Sequence, residues 1–144
     1  MNYPTDKLKQ EWIQTGITQD ATAWAESFGK FLCGEQINKD NAFPRGALTT
    51  SQLRRFFGEV KRISTDFDRN QTDLVMLKHM LAYAVGRDID NKTGKNKTRI
   101  KQFEEELSKG LGFIRSDNNK RLDFKNFVKL FEAIVAYHKY YVGK

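Results

Sequence analysis

Residues 45–144 contain no proline, and this absence does more than any other feature to limit what the chain folds into. The 144-residue sequence has two prolines, Pro4 and Pro44. Because proline breaks the interior of a helix, so long a stretch without it permits long uninterrupted helices. Hydrophobic residues make up 39% of the chain, and 11 residues are phenylalanine. This content is too high for a disordered chain, and the length suggests one domain with a real core.

Apolar residues recur at helical spacing, so we predict an all-α fold, a compact single-domain bundle of about five helices. In the second helix, Thr49 and Gln52 fit the capping-box pattern, and Gly34 is a candidate C-cap of the first. The third helix is apolar around most of its circumference, which is typical of a helix at the centre of a bundle. No segment alternates strictly, so we predict no strands. The predicted helices cover about residues 20–33, 49–67, 72–87, 98–113 and 123–141.

The segments outside these helices are polar. Residues 1–18 carry only scattered apolar side chains such as Trp12 and Ile13, and we interpret them as an N-terminal tail or arm. The helical-bundle domain then comprises residues 19–144. We expect a turn at 116–121, a loop at 34–48, and an exposed, mobile loop at 88–97.

The charge balance favours polyanionic partners. The formal net charge is +7 and the pI is about 9.5, which favours nucleic acid or an anionic membrane surface. The single cysteine, Cys33, excludes an intramolecular disulfide. No apolar run resembles a signal peptide or approaches the roughly 18 residues of a membrane span. We therefore expect a soluble, cytoplasmic protein without a membrane partner.

Basic residues form one band along the second predicted helix, opposite its apolar face. At about 100° per residue, Arg54 and Lys61 share one side of the band, and Arg55 and Arg62 share the other. A phosphate backbone presents repeated anions along a line, which a row of cations matches, and arginine binds phosphate with two donors. Gly58 lies within the band and would let a chain approach closely. An ordinary solvated helix face is the alternative interpretation.

Two further cations lie on the third predicted helix. Lys78 is either a snorkelling lysine or a cation at the rim of a groove. Arg87 either stabilises the helix C-terminus or binds phosphate. In the following segment, Lys92, Lys95, Lys97 and Arg99 either fold onto nucleic acid or are solvated. The candidate RNA-binding residues are thus Arg54, Arg55, Lys61, Arg62, Lys78 and Arg87.

The residues assemble no catalytic, metal or cofactor site. Cys33, His79 and His138 are not arranged at zinc-ligand spacing, and we expect His138 to be a core histidine. P-loop, dinucleotide and nucleophile-elbow motifs are absent. The segments after Asp88 and Asp117 lack the glycine and acid of a calcium loop. Aromatic RNA-binding motifs of the sheet type are also absent.

Three segments together resemble one family. They are residues 48–57 (LTTSQLRRFF), 77–88 (LKHMLAYAVGRD) and 127–141 (FVKLFEAIVAYHKYY). Their order and spacing resemble the small subunit of the type III-A CRISPR effector, the Csm complex, over about residues 20–142. His79 departs from the pattern, since family members often carry proline there.

The resemblance implies a helical bundle whose copies stack as the inner filament of an antiviral ribonucleoprotein. These copies would line the channel holding the crRNA–target RNA duplex, beside the backbone and large subunits, and bind RNA without sequence preference. In the family, the backbone subunit cleaves the target, and the large subunit makes cyclic oligoadenylate and cuts DNA. The resemblance therefore implies that this chain is not an enzyme.

Other functions stay open from the residues alone. A structural adaptor would bridge protein neighbours through apolar and aromatic surface without touching RNA. A small nuclease or a DNA-binding regulator would need, respectively, metal-dependent cleavage or preference for one duplex sequence.

Overall fold

The structure, a computed structural model, describes residues 7–34 and 46–142. Within them, five helices of 13 to 22 residues form the bundle, and the only β-type pairing is an isolated bridge between Ile89 and Asn96. The predicted all-α fold is therefore confirmed. The helices are α1 (Gln10–Gln14), α2 (Gln19–Phe31), α3 (Thr50–Thr65), α4 (Phe67–Asn70), α5 (Leu74–Arg87), α6 (Ile100–Gly112) and α7 (Lys120–Tyr141), with a 3-10 turn at Gln71–Asp73 before α5.

Local hydrogen bonds set where the helices begin and end. The Thr49 hydroxyl accepts from the backbone N–H of Gln52 at 3.0 Å, and the Gln52 side chain accepts from the Thr49 N–H at 2.9 Å. The predicted capping box of α3 is thus confirmed, and it satisfies two N–H groups that the helix cannot. Beyond the end of α2, Gly34 has φ +77°, a conformation that glycine adopts without a steric penalty.

Helix α7 lies at the centre of the bundle. It packs against α1, α2, α3 and α6, and nine of its residues are buried. The ring of Phe131 lies 5.5 Å from that of Phe57 on α3 and 5.8 Å from that of Phe103 on α6, measured between centroids. Aromatic contacts at such distances bury large apolar surfaces, so α7 joins the surrounding helices into one core.

The predicted central position of α5 is wrong. Only Leu77 and Leu81 of this helix are buried, whereas Val75, Met76 and Tyr83 are 64%, 50% and 68% exposed. The reason is that α5 packs mainly against α3 and α6 at the edge of the bundle, so its outer side meets no neighbour among the described residues. Apolar residues around a helix indicate burial only when other elements surround it.

The described part of the expected N-terminal tail also packs into the bundle. Leu8, Trp12 and Ile13 belong to the core. The Asn126 side chain donates to the carbonyl of Ile13 at 2.9 Å, and the N–H of Leu8 donates to Glu106 at 3.0 Å. Helix α1 has five residues, too few to show an apolar period in the sequence. The division of the chain into residues 1–18 and 19–144 itself stays a prediction.

The loops agree only partly with expectation. Most of the predicted loop 34–48, namely residues 35–45, lies outside the described residues. The loop after α5 is exposed, but its ends are joined, because the buried Asp88 carboxylate accepts from the N–H and hydroxyl of Thr98 at 2.8 and 2.9 Å. Helix α7 begins at Lys120, which shortens the predicted turn at 116–121. The mobility of the 88–97 loop stays a prediction.

Candidate nucleic-acid interface

The neighbours of α3 divide its basic band into two sides. All four cations of the band are exposed. The Lys61 amine lies 3.0 Å from the carboxylate of Glu132 on α7. On the opposite side, the Arg62 guanidinium binds Glu59 and lies 2.7 Å from Asp73, just before α5. Half of the band is therefore already paired with carboxylates of the same chain.

These carboxylates also act on the charge of Arg62. The guanidinium donates hydrogen bonds to Glu59 and Asp73, and these bonds raise its pKa above the ordinary value. The guanidinium is charged in any case, and both carboxylates already bind it. A phosphate at Arg62 would first have to compete with both carboxylates.

Arg55 and Arg87 come from different helices and line one cleft. The cleft has a volume of about 400 Å³ and lies between the start of α3 and the end of α5. It also contains the exposed ring of Tyr83, and the guanidinium carbon of Arg87 lies 5.8 Å from the centre of that ring. The lining residues are Ser51, Gln52, Arg55, Phe56, Met80, Tyr83, Ala84, Arg87 and Asp88.

The two arginines of this cleft have no ion-pair partner among the described residues. Over residues 7–34 and 46–142, neither Arg55 nor Arg87 has a carboxylate within 4.0 Å of its guanidinium nitrogens. The nearby acid, Asp88, is buried and accepts hydrogen bonds from Thr98 instead. Two guanidinium groups thus face a shared space, where an anion gains attraction without displacing an existing partner.

Arg54 and Lys78 lie outside the cleft. Both are exposed, and within the described residues neither has an ion-pair partner. Arg54 lies seven residues before Lys61 and so shares its side of α3, and Lys78 lies on α5. The six predicted residues therefore form three pairs: two in the cleft, two bound to carboxylates and two exposed elsewhere.

Tyr83 is a cleft residue that sequence reasoning counted only as part of the apolar circumference of the third helix. It lies three residues after Met80 and four before Arg87, so all three share one helix face. That spacing, with an arginine at its end, was a signal available in the sequence. The exposure of Tyr83 was not visible in the sequence, because it depends on the positions of α3 and α6 in the bundle.

A second basic groove, between α3 and the start of α7, was also missed. Its volume is about 400 Å³, and it includes Lys125 and Lys129, which are exposed and have no ion-pair partner among the described residues. Arg121, one turn earlier, is paired with Asp68. The spacing of four residues that places these three cations on one helix face was visible in the sequence.

Arg99 has a structural role. Its guanidinium donates to the carbonyl of Phe31 at 2.6 Å and stands 4.1 Å from the centre of the Phe31 ring. It therefore links the start of α6 to the end of α2, a structural contact that neither alternative from the sequence, a solvated or an RNA-bound cation, included. Lys92, Lys95 and Lys97 are exposed.

Buried groups with reactive side chains are held in inert states. The ring of His138 donates from Nε2 to the carbonyl of Leu48 at 2.7 Å, and burial lowers the pKa of this histidine, so the predicted core histidine is confirmed. Burial raises the pKa of the Cys33 thiol to about 11, which keeps it protonated and unreactive.

Neither a metal site nor a membrane span is present in the part of the chain that the structure describes. Residues 7–34 and 46–142 contain no group of three or more His, Cys, Asp or Glu side chains able to hold a metal ion. None of the helices seen there has the length and apolar character that crossing a bilayer requires.

Comparison with known proteins covers the bundle from α2 onward. Residues 18–144 match the family described as Csm2 Type III-A, whereas no curated protein and no solved structure matches the chain. The match includes α2 to α7 and hence every residue of the cleft and of the basic band. The chain therefore belongs to the Csm2 type III-A family, the small subunit of the Csm effector complex.

Proposed function

We propose that this small subunit binds the backbone of RNA through the cleft between α3 and α5. The observation that carries the proposal is that Arg55 and Arg87, from separate helices, meet in one cleft without a carboxylate partner among the described residues. Contacts to phosphate position a strand without reading its bases. We therefore expect binding of target RNA and crRNA without sequence preference.

The six candidate cations rank in a definite order. Arg55 and Arg87 come first because their charge is unpaired and shared across one cleft. Arg54 and Lys78 follow as exposed cations outside the cleft. Lys61 and Arg62 come last, since a phosphate would have to replace Glu132, or Glu59 and Asp73.

We further propose that several copies stack as the inner filament of the complex, beside its backbone and large subunits, in the cytoplasm. Family membership supports this assembly, and so do the exposed apolar side chains of α5, because such surface is typical of protein contacts. One cleft offers few contacts, but adjacent copies on one strand would raise the effective concentration of each. In this proposal the subunit is not catalytic, and cleavage belongs to its neighbours.

The test is a reconstituted complex containing Arg55→Gln and Arg87→Gln. We expect RNA affinity to fall at least about tenfold, because one charge-assisted contact contributes about 1.5 kcal/mol. The slope of log K against log salt should also become shallower by about 0.7 for each single-strand phosphate that the variant no longer neutralises. Binding is measured by filter retention or fluorescence anisotropy at several salt concentrations.

Lys125→Gln with Lys129→Gln is the matched control. This pair removes the same charge from the groove on α7, and we expect a clearly smaller reduction of affinity. Unchanged affinity and slope in the Arg55→Gln, Arg87→Gln complex would refute the proposal. Equal reductions in both variants would mean that net charge, and not the cleft, governs binding.

A structural adaptor is the second candidate function, favoured by the exposure of Val75 and Met76 on α5. It predicts that the arginine variants leave RNA affinity normal, whereas changes on the outer side of α5 reduce incorporation of the subunit. A DNA-binding regulator would instead prefer one duplex sequence, which a competition assay with unrelated duplexes detects.

A further inference from the structure

The cleft between α3 and α5 has more apolar and aromatic surface than a phosphate site requires. Phe56 is buried at its base, and Met80 and Ala84 are partly buried along the α5 side. Tyr83 is 68% exposed. Phosphate interacts with cations and N–H donors and gains nothing from an exposed ring. The cleft therefore combines two chemistries, cationic groups from both helices and an apolar, aromatic interior.

We propose that this cleft takes one unpaired nucleobase of the bound RNA, with the base stacked on Tyr83. The inference deepens the proposed function, on which it rests, by naming what enters the site beside the phosphates. Bases that leave a helical stack are commonly held on aromatic side chains and arginine planes. The cleft volume of about 400 Å³ lies in the range of roughly 300–1,000 Å³ typical of sites for small ligands.

The arrangement of Tyr83 and Arg87 suits a nucleotide in particular. One helical turn separates them, and the guanidinium lies 5.8 Å from the centre of the ring. A base on the ring would place its own phosphate near this guanidinium, because base and phosphate are joined through one sugar. Arg55 stands across the cleft on α3 and is available to the adjoining phosphate.

The basic groove on α7 lacks the same features. It also contains two aromatic residues, Phe67 and Phe124, but both are buried, at 7% and 3% exposure. Their rings stack on each other, with centroids 5.0 Å apart, and offer no free face to a base. Of the two grooves, only the cleft between α3 and α5 therefore presents an exposed ring beside unpaired arginines.

Two polar groups of the cleft that could read a base are already engaged within the protein, so we expect base identity to have a small effect. The Gln52 side-chain oxygen is already used in the capping box of α3, and the buried Asp88 carboxylate accepts from Thr98. Stacking accepts every base because each has a π-face. The inference thus agrees with sequence-tolerant binding and adds a dependence on the presence of a base.

The experiment combines Tyr83 variants with abasic substitutions in the target RNA, using the reconstituted complex. Tyr83→Ala should weaken binding of intact target about 5- to 150-fold, the range for removal of one stacked base, and Tyr83→Phe should bind nearly as well as the natural protein. A single abasic site is then moved along the target. At base-paired positions the abasic site should weaken RNA binding by the natural complex and by the Tyr83→Ala complex equally. At the position whose base enters the cleft, the abasic site should weaken RNA binding only by the complex that has Tyr83.

The outcomes separate this inference from the proposed function. If the Arg55→Gln, Arg87→Gln complex loses RNA affinity while Tyr83→Ala does not, the phosphate contacts stand and the base site is refuted. Equally weak binding by Tyr83→Phe and Tyr83→Ala would overturn it too, because the hydroxyl and not the ring would be responsible. The base site is also refuted if Tyr83→Ala lowers only the amount of subunit incorporated, because Tyr83 would then contact a protein neighbour.

Discussion

Helices α5 and α7 are both rich in apolar residues, yet they use them differently. Helix α7 buries nine residues against four neighbouring helices, whereas α5 buries two and leaves Val75, Met76 and Tyr83 in contact with solvent. The apolar surface of α7 therefore contributes to folding. Much of that of α5 does not, and it is available for contacts outside the bundle, beside the proposed RNA cleft. Helix α7 thus holds the fold together, whereas the outer side of α5 is left uncovered within the described bundle.

Two helical glycines, one facing α7 and one on α5, show the same contrast at the level of the backbone. A Cβ on Gly29 of α2 would lie 2.9 Å from the Ile134 carbonyl oxygen and the His138 nitrogen of α7. A Cβ on Gly86 of α5 would meet nothing within 4 Å. Glycine at position 29 thus permits two helices to approach closely. No contact within the described structure requires a glycine at position 86.

The largest expected effect comes from truncating the centre of α7. Phe131→Ala removes a ring in contact with α3 and α6 and leaves a cavity, so we expect a decrease of about 3–5 kcal/mol in the free energy of unfolding. Urea denaturation followed by circular dichroism measures it. Val75→Ala on α5 is the control, with an expected change within about 0.5 kcal/mol. Similar decreases at the two positions would contradict the contrast between the helices.

The next effect tests the close approach of α2 and α7. Gly29→Ala forces a methyl group against two backbone atoms that have no freedom to rotate away, so we expect the free energy of unfolding to fall by about 1–3 kcal/mol. Gly86→Ala is the matched control within a helix and should raise stability by about 0.4–1 kcal/mol, because alanine lowers the entropy of the unfolded chain. Chemical denaturation of both variants measures these changes, and a stable Gly29→Ala protein would show that the two helices separate easily.

The smallest expected effect is a pH dependence of the free energy of unfolding caused by His138 on α7. Burial lowers the pKa of His138 in the folded protein, so below about pH 6.5 the unfolded chain binds a proton that the folded chain does not. Stability should therefore fall as the pH decreases through this range. His138→Gln should flatten the dependence of the urea midpoint on pH between about 7.5 and 5.5, whereas His79→Gln, at an exposed position on α5, is the control. A slope that His138→Gln does not alter would assign the effect to other groups.

Much of the helical framework was predictable because its signals are local. The capping box at Thr49 depends on residues three apart, and the shared inward face of Phe124, Phe131 and His138 follows from a spacing of seven, about two helical turns. Helix α1 was missed because a helix of about one and a half turns is too short to show a repeating pattern of apolar residues. The exposure of α5 was missed because apolar periodicity states which side chains share a face, and not whether a neighbour covers that face.

For the candidate interface, the sequence by itself determined the helices and the cations that each one presents, since both depend on residues within one or two turns. Only the tertiary structure decided that Arg55 and Arg87 share a cleft, that Lys61 meets Glu132, and that Tyr83 is exposed. The physical reason is distance. Whether a charge is paired or a ring is covered depends on groups far apart in the chain, whose separation is set by the packing of α3, α5 and α7.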